Sequence, residues 1–393
     1  MKIKVGVIFG GESVEHEVSI ISAVQAMANL DQEKYDIVPI YISKEKEWYT
    51  GRALLNIENY QDLASIKSYT KNVVLYAKNN HFVLQTKGLF KRVIDEIDLA
   101  FPIVHGANIE DGTIQGYLDL VGVPYVGSNI YASVVGQDKI FMKQIFRAAN
   151  LPITDYVWFF DIEFKENANA ILKKIDTLKL PVLVKPATLG SSIGITKVSK
   201  KEELTTAIEE AMQYDTKIIV EEAVANLIEV NCSVLGNYEF QQTSEIEEVR
   251  AKDAILSYND KYIGNGKKGG KSKGMVSTNR VIPAKIDDKL RKEVMSTAKA
   301  VFRVLNSAGV CRVDLLIDEK TKKVYVNEIN TIPGSLSFYL WEPVGKTYSM
   351  LLDDLISLAI KSYKNRSKRT YSFDTNILSN FEGLKGNKGK LKH

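Results

Sequence analysis

Residues 311–330, CRVDLLIDEKTKKVYVNEIN, contain two apolar segments, each with a pair of polar side chains two positions apart. Arg312 and Asp314 lie in the first segment, and Glu328 and Asn330 lie in the second. Because side chains alternate between the two faces of a β-strand, each pair lies on one face of its strand. If the strands pair, the oxygens of Asp314, Glu328 and Asn330 lie together.

These hard oxygen ligands suit Mg²⁺, which takes one or two carboxylates and completes its shell with nucleotide phosphates and water. Arg312 beside them would neutralise the charge of a transferring phosphate. Surface ion pairs on edge strands are the alternative, but both segments read as buried, where unpaired carboxylates are costly. The pattern therefore favours a magnesium site, with Mn²⁺ as a second candidate ion.

A second segment, residues 184–194 (VKPATLGSSIG), places a lysine at a strand end before a turn of small residues. Backbone N–H groups of such a turn can approach a phosphate closely. A hairpin that binds no ligand explains this segment equally well when it is taken alone. Together with the metal cluster, it favours a nucleotide site in which Lys139 and Lys185 contact phosphates and Glu221 and Glu229 accept hydrogen bonds from adenine and ribose.

The composition is that of a globular protein with two or three domains, since the 393 residues are 45% hydrophobic and 25% charged. The formal net charge is +4, but residues 361–393 carry nine Lys and Arg against two acidic residues, which is +7 and leaves −3 for the rest. The body of the chain is therefore not a basic nucleic-acid binder. The basic tail is interpreted as a solvated extension.

No apolar stretch approaches the roughly 20 residues that span a bilayer. The two cysteines, Cys232 and Cys311, provide neither a disulfide framework nor metal-ligand spacing. These features favour a cytoplasmic protein.

Strand and helix patterns divide the chain into four parts. Apolar runs at 3–9, 36–42 and 97–104 alternate with helical patterns at 18–28 and 113–121, which predicts a doubly wound parallel sheet in a domain over 1–127. A smaller α/β domain is expected over 128–222, and it includes a helix at about 133–149. A larger α+β domain is expected over 223–363, followed by the tail, 364–393.

Six blocks in this order resemble the D-alanine–D-alanine ligases, members of the ATP-grasp superfamily. The blocks are GGESVEHEVS (10–19), FPIVHGANIEDGTIQG (101–116), VKPATLGSSIG (184–194), VEEA with EVNCSVLGN (220–237), CRVDLLID (311–318) and VNEINTIPGS (326–335). The resemblance covers nearly the whole chain to about residue 363. It implies an ATP-grasp fold, of α/β and α+β class, preceded by the doubly wound N-terminal domain.

The resemblance also implies roles for individual residues. Glu15 matches the glutamate that binds the amine of the first D-alanine and meets a serine and a tyrosine, here Ser191 and Tyr262. His105 matches a histidine near the first substrate. Lys261 matches a phosphate-contacting lysine on a segment that closes over ATP.

The remaining family positions fall in the last two blocks. Arg312 corresponds to the phosphate-binding arginine, and Asp314, Glu328 and Asn330 correspond to the metal ligands. Gly334 corresponds to a backbone N–H of the oxyanion site. The implied reaction phosphorylates the carboxylate of the first substrate, and the amine of the second substrate then attacks the acyl phosphate, so no protein nucleophile is needed.

The segment after Pro333 departs from the family pattern. It reads GSLSFYLWEP, in which one residue is added and Tyr339 stands near the serine that, with the following leucine, holds the carboxylate of the second D-alanine. Tyr339 and Leu340 are therefore the expected contacts of the second substrate. A tyrosine hydroxyl can bond a carboxylate, but an aromatic run can also be core packing.

The leading hypothesis is ligation of two D-alanines for peptidoglycan precursor synthesis, with ATP and Mg²⁺, D-amino acids as substrates, and K⁺ as a further candidate ion. The altered segment leaves open a ligase with another second substrate, such as D-serine, D-lactate or a different amino acid. A nucleotide-binding sensor without catalysis is the hypothesis of another class. The family resemblance suggests a homodimer.

Overall fold

The computed structural model describes residues 2–79, 81–249 and 280–372 of the chain. It has three β-sheets, formed by successive parts of the sequence. This is the mixed α/β architecture that the sequence predicts. The domain boundaries drawn from the sequence remain predictions.

The first sheet has seven strands in the order β6-β5-β4-β3-β2-β1-β7. The elements of this part are β1 (Ile3–Gly10), α1 (His16–Asn29), β2 (Tyr35–Ile42), β3 (Trp48–Thr50), α2 (Leu63–Tyr69), β4 (Lys71–Lys78), β5 (His81–Thr86), β6 (Val93–Ile97), β7 (Leu99–Pro102) and α3 (Thr113–Val121). Helix α1 crosses over between β1 and β2, so Gly10 and Gly11 lie at the carboxyl end of β1, as expected.

This sheet is mixed, whereas alternation alone predicted parallel pairing throughout. Strand β1 pairs in parallel with β2 and β7, but β3, β4, β5 and β6 join by antiparallel pairing. Antiparallel neighbours need only short connections, and parallel neighbours need a crossover. The strand predicted over 97–104 is divided at Asp98, whose side chain accepts a hydrogen bond from the Lys4 backbone N–H at 2.8 Å.

Two helices lead to a four-stranded antiparallel sheet of order β10-β9-β11-β8. The elements are α4 (Ile130–Gln137), α5 (Lys139–Ala148), β8 (Tyr156–Phe160), α6 (Asp161–Ile175), β9 (Val182–Pro186), β10 (Thr196–Val198), α7 (Leu204–Ala211) and β11 (Lys217–Glu222). The sequence predicted one helix over 133–149, but Asp138 ends α4 and caps α5, accepting the Ile140 and Phe141 backbone N–H groups at 2.9 and 3.1 Å.

The third sheet has five strands in the order β14-β13-β12-β15-β16. The elements are β12 (Leu227–Gly236), β13 (Gln241–Val249), β14 (Arg280–Val281), α8 (Asp288–Val304), β15 (Gly309–Asp318), β16 (Lys323–Asn330) and α9 (Tyr348–Ser367). Helix α8 packs its apolar face, including Val294, Val301 and Phe302, on this sheet.

Helix α9 belongs to the core of the first sheet, although it ends the described chain. Leu351, Leu352 and Leu355 are buried together with Ile20 and Met27 of α1. The chain therefore returns to its N-terminal part and carries the segment after Pro333 past α1. No helix among the described residues is both long and apolar enough to cross a bilayer.

Candidate active site

The four polar residues of the opening segment meet on the paired strands β15 and β16. Arg312 lies opposite Asn330, and Asp314 lies opposite Glu328. Asn330 Nδ2 donates a hydrogen bond to Asp314 Oδ2 at 3.1 Å. The pairing thus brings these side chains to one face, as their spacing predicts, while their roles remain predictions.

Arg312 and Asp314 form a two-point ion pair on β15. Arg312 Nε and Nη2 donate to Asp314 Oδ1 and Oδ2 at 2.6 and 2.7 Å. Burial alone would lower the pKa of the Arg312 guanidinium, but the Asp314 carboxylate outweighs it and raises the pKa well above its usual value. Arg312 is therefore a permanent cation beside the proposed phosphate site.

The side chains present could hold a divalent ion only if the phosphate oxygens of a nucleotide completed its coordination. Within the described ranges no group of three His, Cys, Asp or Glu side chains could hold a metal ion. Asp314 and Glu328 supply two carboxylates and Asn330 an amide oxygen, and Mg²⁺ bound with nucleotides commonly uses one or two carboxylates with phosphate oxygens and water. The donor chemistry fits such an ion.

The same row of residues continues across two further strands. Asp314 lies opposite Asn231 of β12, and Asn231 lies opposite Glu247 of β13. Asn231 Nδ2 donates to Glu247 Oε1 at 2.8 Å, and both residues are buried. Glu229, predicted to contact the nucleotide, is two residues before Asn231 and shares its face. The sequence analysis did not identify Asn231 or Glu247, although the alternation of Glu229 and Asn231 was a usable signal.

Buried charges also cluster between α5 and the second sheet. Glu221 of β11 is bound by Lys185 of β9 and by Lys143 of α5, the latter at 2.7 Å. Lys143 also donates to Thr154 Oγ1 at 3.0 Å, and Thr154 donates to Glu221 Oε2 at 3.1 Å. Lys185 and Glu221 are thus neighbours, as a shared nucleotide site requires. Lys143 was missed, although it follows Lys139 by one helical turn.

The two lysines determine the charge of Glu221. Burial would raise the pKa of its carboxyl group, but Lys143 and Lys185 outweigh that effect and hold the pKa far below its usual value. Burial lowers the pKa of Lys143, and Glu221 opposes this. The group is a compact buried network of two lysines and one carboxylate.

Lys139 connects this region with the third sheet. Its Nζ donates to the Leu189 carbonyl at 2.9 Å and lies 3.7 Å from Glu328 Oε2. Lys139 therefore lies between the small-residue turn and the proposed metal ligands. Phosphates placed there would be flanked by cations from two sheets.

Glu15 and Ser191 meet across the site, although 176 positions separate them in sequence. The Ser191 hydroxyl donates to Glu15 Oε1. Ser191 and Ser192 have φ values of 55° and 60°, in the left-handed region, so the turn is tightly bent. A Cβ at Gly106 would lie 2.1 Å from Ser13 Oγ, which explains the glycine beside Glu15. The remaining predicted members of this group, Lys261 and Tyr262, lie outside the described residues.

His105 is buried between α1 and the segment after Pro333. Its Nε2 lies 3.0 Å from Ser22 Oγ, and Ser22 Oγ accepts the Ser335 backbone N–H at 2.9 Å. Burial lowers the pKa of His105, although Glu15 opposes the shift, so the ring is neutral at pH 7. A neutral ring can orient a substrate by hydrogen bonding without adding charge.

Glu110, from the HGANIEDG block, is a site residue that the sequence analysis missed. Its Oε2 accepts the Gly106 N–H at 2.9 Å and its Oε1 accepts the Ile332 N–H at 3.1 Å. It thus joins the His105 loop to the loop that precedes Gly334. Burial, with a smaller contribution from Glu15, raises its pKa to about 8.

Gly334 begins a short turn with unusual backbone geometry. Ser335, Leu336 and Ser337 have φ values of 50°, 52° and 50°. Left-handed conformations cost non-glycine residues roughly 1–2 kcal/mol each and occur where the surroundings enforce them. The Ser22 contact and a 2.7 Å bond from Ser335 Oγ to Gln25 Oε1 hold this turn against α1.

Tyr339 and Leu340 differ in their surroundings. The Tyr339 hydroxyl donates to Glu247 Oε1 at 3.0 Å, whereas Leu340 is fully buried. Trp341, also fully buried, donates its indole N–H to Ser233 Oγ at 3.1 Å. Part of the aromatic run is therefore core packing. Tyr339 is instead bonded to the polar row, which is formed by Glu328, Asp314, Asn231 and Glu247 on adjacent strands.

Two family models match the chain. The model described as D-ala D-ala ligase N-terminus matches residues 4–128, and that described as D-ala D-ala ligase C-terminus matches residues 145–357. Among curated relatives, the D-alanine–D-alanine ligase of Thermosipho melanesiensis is 37% identical over 96% of this chain and 98% of its own. The D-alanine–D-alanine ligase of Thermosipho africanus is 40% identical over 95% of this chain and 98% of its own.

Solved structures are similar over the same extent. A D-alanine–D-alanine ligase from Coxiella burnetii has a TM-score of 0.77 at 28% identity, covering 93% of this chain and 96% of its own. The VanG D-Ala:D-Ser ligase from Enterococcus faecalis has a TM-score of 0.76 at 32% identity, covering 91% and 100%. A Bacillus anthracis ligase complexed with ATP has a TM-score of 0.65 at 26% identity, covering 93% and 99%.

The fold and its matches, together with Lys139, Lys185 and Arg312 and the carboxylates of Asp314 and Glu328, define an ATP-dependent carboxylate–amine ligase with the ATP-grasp fold. The catalytic class that the sequence predicts is thereby confirmed. The chain belongs to the D-alanine–D-alanine ligase family.

Proposed function

We propose that this chain joins two D-alanine molecules, with release of ADP and phosphate, for peptidoglycan precursor synthesis. The observation that carries the proposal is the Glu15–Ser191 contact, because it places a carboxylate beside the phosphate-binding turn. A carboxylate there can bind the ammonium group of an amino acid while that amino acid's own carboxylate faces the nucleotide.

The charges support phosphoryl transfer to a carboxylate. Lys139 and Lys185 and the permanently charged Arg312 neutralise the transferring phosphate, and the backbone N–H of Gly334 stabilises the oxyanion that forms when the amine attacks. A divalent ion held by Asp314, Glu328 and Asn330 would supply further neutralisation of phosphate charge. Mg²⁺ is our proposal for that ion, with Mn²⁺ as a substitute and K⁺ as a further candidate ion.

Covalent catalysis by a cysteine is disfavoured among the described residues. Cys232 and Cys311 are both fully buried, and burial raises the pKa of each thiol to about 12. Neither thiol forms a thiolate at neutral pH. This agrees with direct attack of the substrate carboxylate on ATP.

A ligase with another second substrate is the alternative that a specific observation favours. Tyr339 is bonded to Glu247, and the similar VanG structure is a D-Ala:D-Ser ligase. We keep D-serine, D-lactate and other amino acids as candidates for the second position. The non-catalytic sensor is not supported, because family membership indicates an enzyme. A cytoplasmic location and a homodimer are also proposed, on the use of ATP and on the family resemblance.

The test is ADP release with D-alanine as the only amino acid, in Mg²⁺ and K⁺, with product mass analysis. We expect ADP and the dipeptide in equal amounts. Parallel reactions that add D-serine, D-lactate or L-alanine show which of these compounds the enzyme accepts as second substrate. Absence of ADP release with D-alanine alone would remove the proposed function, and ADP release only after addition of another acceptor would establish the alternative.

A further inference from the structure

Arg280, Glu247 and Tyr339 form a charged cluster at one end of the polar row. Arg280 Nη1 lies 3.3 Å from Glu247 Oε2, and the Arg280 guanidinium lies over the Tyr339 ring, 5.0 Å from its centroid. Glu247 is fully buried and the Arg280 side chain is 14% exposed. We propose that Arg280 is the cation that binds the carboxylate of the second amino acid, and that Glu247 and Tyr339 hold it in position.

The position of the cluster suits a second substrate. Glu247, Asn231 and Asp314 lie opposite one another on adjacent strands. With strands about 4.8 Å apart, Glu247 is about 10 Å from Asp314, on the same face of the sheet. That span leaves room for a small amino acid between the cluster and the phosphate that is transferred near Asp314.

The hydrogen bonding of Tyr339 excludes it as the direct anchor in this arrangement. Its hydroxyl donates to Glu247 Oε1, so its single proton is not directed at a substrate carboxylate. Arg280, in contrast, carries a planar group suited to a carboxylate, and its plane is fixed by the carboxylate on one side and the aromatic ring on the other. Tyr339 therefore acts through Arg280.

The buried charge of Glu247 has donors besides Arg280. Both Asn231 Nδ2 and the Tyr339 hydroxyl donate to Glu247 Oε1, at 2.8 and 3.0 Å. Glu247 therefore has hydrogen-bond donors without Arg280. This favours a role in which the Arg280–Glu247 pair is a fixed support for a ligand.

Asn231 provides an independent indication of a ligand. Its Oδ1 is buried and has no hydrogen-bond partner among the described residues. Buried acceptors are rarely left unpaired. An acceptor between the cluster and Asp314 suits the amine N–H of a substrate whose carboxylate lies at Arg280.

The inference rests on the proposed function. The test compares two second substrates that differ only in whether they carry a carboxylate or an uncharged carboxamide. D-alanine and D-alaninamide are offered as second substrate, with D-alanine as first substrate, and each product is measured by mass. Because loss of a hydrogen bond to a charged group costs about tenfold or more, we expect the wild-type enzyme to prefer D-alanine by at least that factor in kcat/KM.

Arg280→Met is the decisive variant. We expect the preference for D-alanine over D-alaninamide to fall by about tenfold or more, while the KM for ATP is unchanged. Arg280→Lys keeps a charge but loses the planar group, so we expect a partial fall; it also serves if Arg280→Met does not fold. Tyr348→Phe is the control, because it removes a buried hydroxyl that has no partner among the described residues.

The outcomes separate the two claims. If both acceptors lose rate equally in Arg280→Met, Arg280 has a structural role only and the inference is overturned. The same holds if the wild-type enzyme uses D-alaninamide as well as D-alanine. If the wild-type enzyme releases no ADP with D-alanine in any combination, the proposed function fails first.

Discussion

At the scale of single residues, buried charge is the main feature of the site. Glu110, Glu221 and Arg312 each lie in surroundings that would disfavour a lone charge. Glu221 and Arg312 keep their charges because opposite charges touch them, whereas Glu110 has only backbone N–H donors and keeps its proton. The three residues therefore respond differently to pH and to substitution.

Glu110→Gln tests the raised pKa. The folded pKa of about 8 lies above the roughly 4.3 of an unfolded glutamate. Stability from this group is then fully present below about pH 4.3 and is lost as pH rises toward 8. We expect urea unfolding from pH 5 to 9 to show the wild type losing a few kcal/mol relative to Glu110→Gln, at about 1.4 kcal/mol per pKa unit. Glu166→Gln, on the exposed side of α6, is the control, and parallel curves for wild type and Glu110→Gln would refute the assignment.

Glu221→Ala tests the buried lysine network. The change leaves Lys143 and Lys185 without their shared carboxylate, and removing one partner of a buried ion pair typically costs about 3–5 kcal/mol. We expect a decrease of that size in the free energy of unfolding. Glu17→Ala breaks an exposed pair with Lys44, 2.7 Å apart, and should cost at most about 1 kcal/mol. Equal costs in the two variants would contradict the buried network.

At the scale of elements, the antiparallel register of β15 and β16 creates the proposed metal site. Asp314 lies opposite Glu328, and a β-bulge follows directly, because the register shifts by one residue between Asp314 and Leu315. The two-residue spacing of each polar pair was accessible from sequence, but the bulge was not, because it breaks the alternation of β16 at Asn327.

Glu328→Gln tests the metal assignment. The change keeps the size of the side chain but removes the charge that a divalent ion needs, so we expect ATP turnover to fall by about 100-fold or more, in line with the loss of one preorganised electrostatic group. Initial rates at several Mg²⁺ concentrations measure the effect. Glu319→Gln changes an exposed residue of the same hairpin and should be neutral. Unchanged ATP consumption in Glu328→Gln would remove the metal site.

Other elements could not be found from the sequence. Strands β3 and β6 are short, and β13 (QQTSEIEEV) has few apolar residues, so their pairing depends on neighbours distant in sequence. Glu247 shows this most clearly, because its contacts with Arg280 and Tyr339 span 33 and 92 positions. The spacing of residues in the sequence does not predict contacts between positions so far apart.

At the scale of the whole molecule, the site is assembled from all three sheets. Glu15 comes from the N-terminal part, Ser191 from the turn between β9 and β10 of the second sheet, and Arg312 from the third sheet. Glu110 joins the first part to the loop before Gly334. The order of the six sequence blocks was enough to predict that these parts belong together. The way the segment after Pro333 packs on α1 required the structure.

The central claim is that the substrate carboxylate is phosphorylated before the amine attacks. D-alanine labelled with ¹⁸O in its carboxylate provides the most direct measurement, because an acyl phosphate passes one carboxylate oxygen to the phosphate that leaves. We predict one labelled oxygen in the released phosphate for each dipeptide formed. Phosphate free of label, with dipeptide still produced, would contradict the account.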